Sequence, residues 1–193
     1  MTRAESDVCT HLSTGYYRFV FIVVDDGIII ISRFNAAPMS WFEASKFCKN
    51  MGAKLVEIDS EEENAAIVEE IVKRRFQEKK RYFWIGLTDL RKEGVWKLES
   101  NGATANYQNW DKSYKDNPEP NNHGGHEDCA HLRVGPCSRW RDGWADFQCG
   151  KSSLYITTCD PNDKVSKPEA WFSMNPLCEF EKACNSDTSE EGQ

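Results

Sequence analysis

Positive charge is in short supply in this chain: 24 Lys and Arg face 31 Asp and Glu among 193 residues, a net charge of −7. A surface of that sign repels nucleic acid and anionic membrane and attracts cations, so nucleic acid is excluded as a partner. The eight cysteines contain no CxxC pair, and no HExxH is present. Zinc-ribbon and zincin chemistry therefore lack their ligand spacing. There is no nucleophile elbow and no glycine-rich phosphate loop, which removes the common hydrolase and nucleotide-binding readings. Long apolar runs are missing too. The stretch from Phe19 to Ile31 is split by Asp25 and Asp26 and is too short to cross a bilayer. No internal repeat and no Asn-x-Ser/Thr sequon occur.

What is present suits one globular domain with terminal extensions. A chain of this length can bury about 70% of its unfolded surface, and 12% aromatic residues supply the material. An even, dispersed set of cysteines reads as disulfides formed in an oxidising compartment, hence a secreted protein, although a signal peptide is not evident in this sequence. Residues 1–30 form an N-terminal extension, read either as two strands around an Asp-Gly turn or as an imperfect gene model. The domain proper is expected over 31–182, and 183–193 reads as a disordered acidic tail.

Local signals then become regular. Ser40 with Glu43 is a capping box that opens a helix over 40–51, carrying Trp41, Ala44, Ser45 and Cys48 on one side. Leu55 to Ile58 alternates as a short strand. Ser60 with Glu63 opens a second helix with Ile67, Val68, Ile71 and Val72 as its buried stripe, and Glu61 to Glu63 as its solvated first turn. Tyr82 to Leu87, Val95 to Leu98 and Leu177 to Phe180 read as strands. From Asn106 to Gly125 the chain is polar and rich in Asn, Asp, Pro and Gly, a long loop of the kind that is usually functional.

That loop ends in the most informative stretch. Glu119, Asn121, Asn122, Glu127 and Asp128 place five carboxylate or carboxamide side chains within ten residues. Hard oxygen donors on an irregular loop select calcium, which takes six to eight oxygens at about 2.3 to 2.6 Å. His123, His126 and His131 invite a zinc reading with Cys129, but they read better as loop-surface residues that modulate calcium by protonation. Glu119 and Glu127 as a glycosidase pair would not be free to carry protons once bound to calcium. The chain is therefore not read as an enzyme.

Taken together, Trp41-x-x-Ala44-x-x-x-Cys48, Trp84-Ile85-Gly86-Leu87, Glu119-Pro120-Asn121, Glu127-Asp128-Cys129, Trp144-Ala145-Asp146 and Cys178-Glu179 resemble the C-type lectin domain. The resemblance implies an α+β fold with two helices flanking small antiparallel sheets and a long calcium-binding loop. It implies disulfides Cys48–Cys178 and Cys129–Cys149, leaving Cys137 with Cys159 and Cys9 with Cys184 as further pairs. In sugar-binding members a primary calcium is held by residues matching Glu119, Asn121, Glu127 and Asp146, with vicinal sugar hydroxyls completing its shell. An accessory ion would use Asp89, Glu93, Asn122, Glu127 and Asp128, giving one or two calcium ions. The Glu-Pro-Asn order implies equatorial hydroxyls, hence mannose, fucose, glucose or N-acetylglucosamine, and innate recognition of glycans or glycoproteins. The bond before Pro120 is expected to be cis, with both flanking carbonyls aimed at the ion. Ala145 departs from the pattern, since sugar-binding members have Asn there. The alternative is a domain of this fold with little sugar affinity that recognises a protein or another surface. Trp140, Trp144 and Trp171 read as core or loop-packing residues. A homo-oligomer would cluster weak sites into an avid array.

Overall fold

The computed structural model describes residues 18–24, 27–33, 37–73, 82–113, 115–134, 143–156 and 170–180. Helix α1 spans Trp41–Asn50, and its capping box is complete: the Ser40 hydroxyl accepts from the Glu43 amide while the Glu43 carboxylate accepts from the Ser40 amide. The face that this start commits inward carries Trp41, Ala44, Ser45 and Cys48. The Trp41 indole N–H is spent on the Ile85 carbonyl at 2.9 Å, so burying the ring leaves no unpaired donor.

Helix α2 spans Glu61–Lys73 and begins differently. The Ser60 hydroxyl accepts from the Glu63 amide at 3.2 Å, but the Glu63 carboxylate returns to the Asp59 amide at 2.9 Å, one residue beyond the reciprocal bond of a capping box. Its stripe is also narrower than the sequence predicts. Ile67, Val68 and Ile71 are buried, whereas Val72 is 46% exposed, because it lies past the edge of the face that meets the sheet.

Strands β1 (Arg18–Val24) and β2 (Gly27–Arg33) pair antiparallel, and β2 joins β9 (Ala170–Phe180) through Ile28 opposite Phe180. Asp25 and Asp26, between these strands, lie outside the described residues, and with them the Asp of the expected Asp-Gly turn. The main path runs β1-β2-β9-β4-β6-β7, with β4 at Tyr82–Thr88, β6 at Cys129–Arg133 and β7 at Trp144–Phe147. Parallel β4–β9 pairing occurs within this otherwise antiparallel set. Short strands β3 (Lys54–Leu55), β5 (Lys97–Leu98) and β8 (Ser153–Ile156) attach at the sides.

Three expected strands differ in length: Val95 to Leu98 shrinks to Lys97–Leu98, Leu55 to Ile58 keeps only Leu55 in a strand, and the closing strand is longer. Past Leu55 the chain bridges rather than extends: the Val56 amide donates to Leu177 O and the Val56 carbonyl accepts from the Gly86 amide. That approach explains the glycine, since a Cβ at position 86 would stand 2.9 Å from the Leu55 carbonyl. The closing strand is longer than Leu177 to Phe180, because β8 extends its ladder back to Ala170.

Two clusters fill the interior. Ile67, Ile71, Phe83, Leu132 and Trp144 pack beneath α2, and Trp41, Trp84, Met174 and Leu55 pack beneath α1. Cys48–Cys178 closes the second cluster and Cys129–Cys149 ties β6 to the second residue past β7, both as expected. Cys9, Cys137, Cys159, Cys184, Trp140 and the 183–193 tail lie outside the described residues, as does the side chain of Trp171. Trp144 is a core residue whose indole N–H bonds Asn64 Oδ1 at 2.8 Å.

Candidate functional site

The long loop folds back on the β6–β7 end of the sheet, and β7 supplies its anchor. Asp146, only 2% exposed, accepts the Asn121 amide on Oδ1 at 2.9 Å and the Asn122 amide on Oδ2 at 2.6 Å. Two charge-assisted bonds from consecutive amides fix the Glu119-Pro120-Asn121 segment against the strand. The Glu119–Pro120 bond is cis, as expected. The Glu119 carbonyl accepts from Lys112 Nζ.

Glu119 itself is buried between two donors. Its Oε2 accepts from Asn121 Nδ2 at 2.8 Å and its Oε1 from Arg133 Nη2 at 2.6 Å. Burial pushes the Glu119 carboxyl up to about 8 against the pull of Arg133, and Asp146 adds to the rise. Glu127 is buried as well. Its Oε2 accepts the His123 amide at 2.9 Å while its own amide donates to Asn122 Oδ1 at 3.0 Å. Loss of water raises Glu127 to about 7, against a backbone bond that lowers it. Asn122 holds a left-handed backbone, φ 43°, which asparagine tolerates better than most residues.

A second oxygen group adjoins the first. Asp89, at the end of β4, is 1% exposed, and burial raises it to about 6. Its Oδ2 accepts the Gly94 amide at 2.8 Å, and its amide donates to the Asp128 carbonyl at 3.1 Å. Glu93 accepts from Asn122 Nδ2. Asn122 therefore links the two groups, with its amide nitrogen on Glu93 and its oxygen on the Glu127 amide.

The residues sequence reasoning picked are thus brought into one hydrogen-bonded neighbourhood, and three others that it passed over join them. Arg133, Asp111 and Lys112 contact the Glu119 segment directly. Arg133 had one legible signal: it lies two residues beyond His131 in a strand, hence on the same side. Asp111 had none in its own neighbourhood. It reaches the site because Gly143 lets two backbones touch: a Cβ at 143 would stand 2.8 Å from Asp111 Cβ.

The histidines divide. His123 and His126 are exposed, as expected. His131 is not a surface residue: it is fully buried, ringed by Tyr82, Trp84 and Phe147, and accepts from Arg133 Nε at 3.4 Å. Burial, with Arg133 beside it, drives His131 well below its usual range, so it stays neutral. Its cross-strand partner Ala145 is also fully buried.

The donor set fits calcium in chemistry, being all oxygen and carboxylate-rich. Two buried oxygens have no partner, Asn121 Oδ1 in the first group and Asp89 Oδ1 in the second, and each is what a cation would satisfy. Among the described residues no three His, Cys, Asp or Glu groups are gathered tightly enough to hold a metal as they stand. The carboxylates are instead answered by N–H donors, with which an ion would compete.

A disulfide-tied α+β body carrying an oxygen-lined loop defines a binding domain. The family model described as the Lectin C-type domain matches residues 37–159, and the chain belongs to that family. Domains of this family generally bind carbohydrate and typically bind calcium, and they are typically non-enzymatic. The chain is 34% identical over 110 residues, 56% of its length, to a perlucin-like protein of Mytilus galloprovincialis. It is 32% identical over 117 residues, 60% of its length, to the hepatic lectin of Gallus gallus. It spans 65% and 50% of those two proteins, less than two thirds of either. The solved mouse scavenger receptor C-type lectin carbohydrate-recognition domain superposes with TM-score 0.56 at 27% identity, covering 84% of this chain and 95% of that one. The human counterpart gives 0.54 at 26%, covering 82% and 94%. Among the described residues, no helix is long and apolar enough to cross a membrane.

Proposed function

We propose that this domain acts extracellularly and binds carbohydrate through calcium held by Glu119, Asn121, Glu127 and Asp146, with an accessory ion on Asp89, Glu93, Asn122, Glu127 and Asp128. The observation that carries the reading is the buried, unpartnered Asn121 Oδ1 beside three buried carboxylates. A buried carbonyl oxygen with no donor costs free energy that a cation would recover. When bound, the ion supplies positive charge to which two vicinal hydroxyls of a sugar can coordinate. Asn121 and the carboxylates of Glu119 and Glu127 then orient those hydroxyls by donating and accepting hydrogen bonds. The Glu119-Pro120-Asn121 order suits equatorial pairs, and so mannose, fucose or N-acetylglucosamine, in glycan recognition of the innate type. The solved mouse relative is itself titled a carbohydrate-recognition domain, which supports the coarse reading. The test is retention on mannose-agarose at millimolar calcium. Elution by EDTA is expected, and passage straight through the column would contradict the proposal.

One observation favours a second reading. Ala145 offers neither a metal oxygen nor an amide donor, and a lost bond to a charged group costs about 1.5 to 3 kcal/mol, roughly tenfold to a hundredfold in affinity. On this reading the loop binds calcium but recognises a protein or other surface. Ala145→Asn would then create sugar binding where the natural chain has almost none. Strong mannose retention by the natural chain would exclude it.

A further inference from the structure

Arg133 stands where the sheet and the loop meet. Residues two apart on a strand share a face, so Arg133 lies on the His131 side of β6. His131 is paired with Ala145 across the ladder, which puts Arg133 diagonal to the missing asparagine. From there its Nη2 donates to Glu119 Oε1 at 2.6 Å, its Nη1 lies 3.4 Å from Asp111 Oδ2, and its Nε lies 3.4 Å from His131 Nε2. The side chains are nearly shut off from water: Arg133 is 13% exposed, Glu119 7% and Asp111 5%.

We propose that Arg133 is a tethered counter-cation of the primary site: it holds Glu119 in the metal-free protein, and a divalent ion must compete with it. The proposal rests on the reading of Glu119 as a calcium ligand. A carboxylate withdrawn from water needs a cation or several donors, and Arg133 supplies both charge and direction. A calcium ion arriving at Glu119 meets a positive charge already bonded to that carboxylate, and like charges repel strongly where water is scarce. Arg133 has somewhere to retreat. Asp111 faces its other terminal nitrogen, and Asp111 is held by its own backbone, donating to Trp144 O at 2.8 Å and accepting from the Glu119 amide at 2.9 Å. Gly143 is the residue that permits this approach. The guanidinium can thus release Glu119 while keeping a carboxylate partner. Arg133 is accordingly a positioning residue that keeps the metal-free loop in place and weakens the site for calcium.

The test compares the full chain with Arg133→Gln and Arg133→Lys by calcium titration calorimetry and by melting in EDTA and in calcium. Arg133→Gln should bind calcium about tenfold more tightly, the size expected from removing one close like charge in a partly screened site. Its EDTA form should melt below the natural chain's, so the gap between its two melting points widens. Arg133→Lys, which keeps the charge, should restore calcium affinity to within about threefold of natural, an outcome that loss of packing alone would not produce. Arginine side-chain NMR on the natural protein needs no variant: calcium should shift the Arg133 Nε and Nη signals. Equal or weaker calcium binding by a folded Arg133→Gln, or Arg133 signals unmoved at calcium saturation, would overturn the proposal while leaving the calcium reading intact. Absence of uptake by any of the three chains would overturn both.

Discussion

The body of this domain and its loop are held by opposite means. Beneath α1 and α2 the interior is apolar, three of its buried tryptophans, Trp41, Trp84 and Trp144, have a bonded indole N–H while that of Trp96 has no partner, and Cys48–Cys178 spans 130 residues of chain. In the loop the buried groups are carboxylates and carboxamides, answered in part by backbone amides and by Arg133, with Asn121 Oδ1 and, beside it, Asp89 Oδ1 left without a partner. Burial of hydrocarbon is insensitive to ions, whereas burial of Glu119, Glu127, Asp146 and Asp89 is costly until donors or a cation answer them. One region is stable by itself, and the other is stable conditionally.

Breaking each region's disulfide separates them most widely. Cys48→Ser with Cys178→Ser should cost about 5 kcal/mol in urea unfolding, while Cys129→Ser with Cys149→Ser, closing a span of 20, should cost about 3 kcal/mol on the loop-entropy account. The first pair should lower stability with or without calcium and leave calcium affinity almost unchanged. The second should weaken calcium binding as well, since it anchors the ends of β6 and β7. A calcium affinity equally damaged by both would erase the distinction.

The smallest effect tests a conditional charge at the half-buried start of α2. Burial raises Glu63, in the first turn of α2, to about 7. A carboxyl raised in the folded state favours folding when protonated, so its contribution is lost as pH climbs from about 4.5 through about 7. Glu63→Gln keeps an oxygen for the Asp59 amide without the charge. It should melt about 1 to 3 °C above the natural chain at pH 8 and no higher at pH 4. A melting difference that does not change with pH would contradict this.

Those contrasts also explain what the sequence made legible. The Ser40 and Glu43 cap and the Glu119 to Asp128 oxygen cluster are local, and chain order alone points to them, whereas the two described disulfides were legible only through the resemblance to the C-type lectin domain. Val72 was misplaced because helical spacing sets a stripe's angle but not the width of the face that receives it. Val56 to Ile58 alternates like a strand yet donates to and accepts from different neighbours, which only tertiary placement decides. His131 looked like one of three loop histidines, but a strand's two-residue period carried it inward. Arg133 and Asp111 were passed over because their meeting depends on Gly143, distant in sequence from Asp111, having no side chain.

Binding of a cation among the loop's buried oxygens is what the proposed recognition requires. Its most direct test is calorimetric calcium titration of the natural chain beside Glu127→Gln, an isosteric change that can still accept the His123 amide but carries no charge. The natural chain should take up one or two calcium ions at neutral pH, and Glu127→Gln should bind at least about tenfold more weakly. No heat of binding by the natural chain, or an undiminished affinity in Glu127→Gln, would contradict the account.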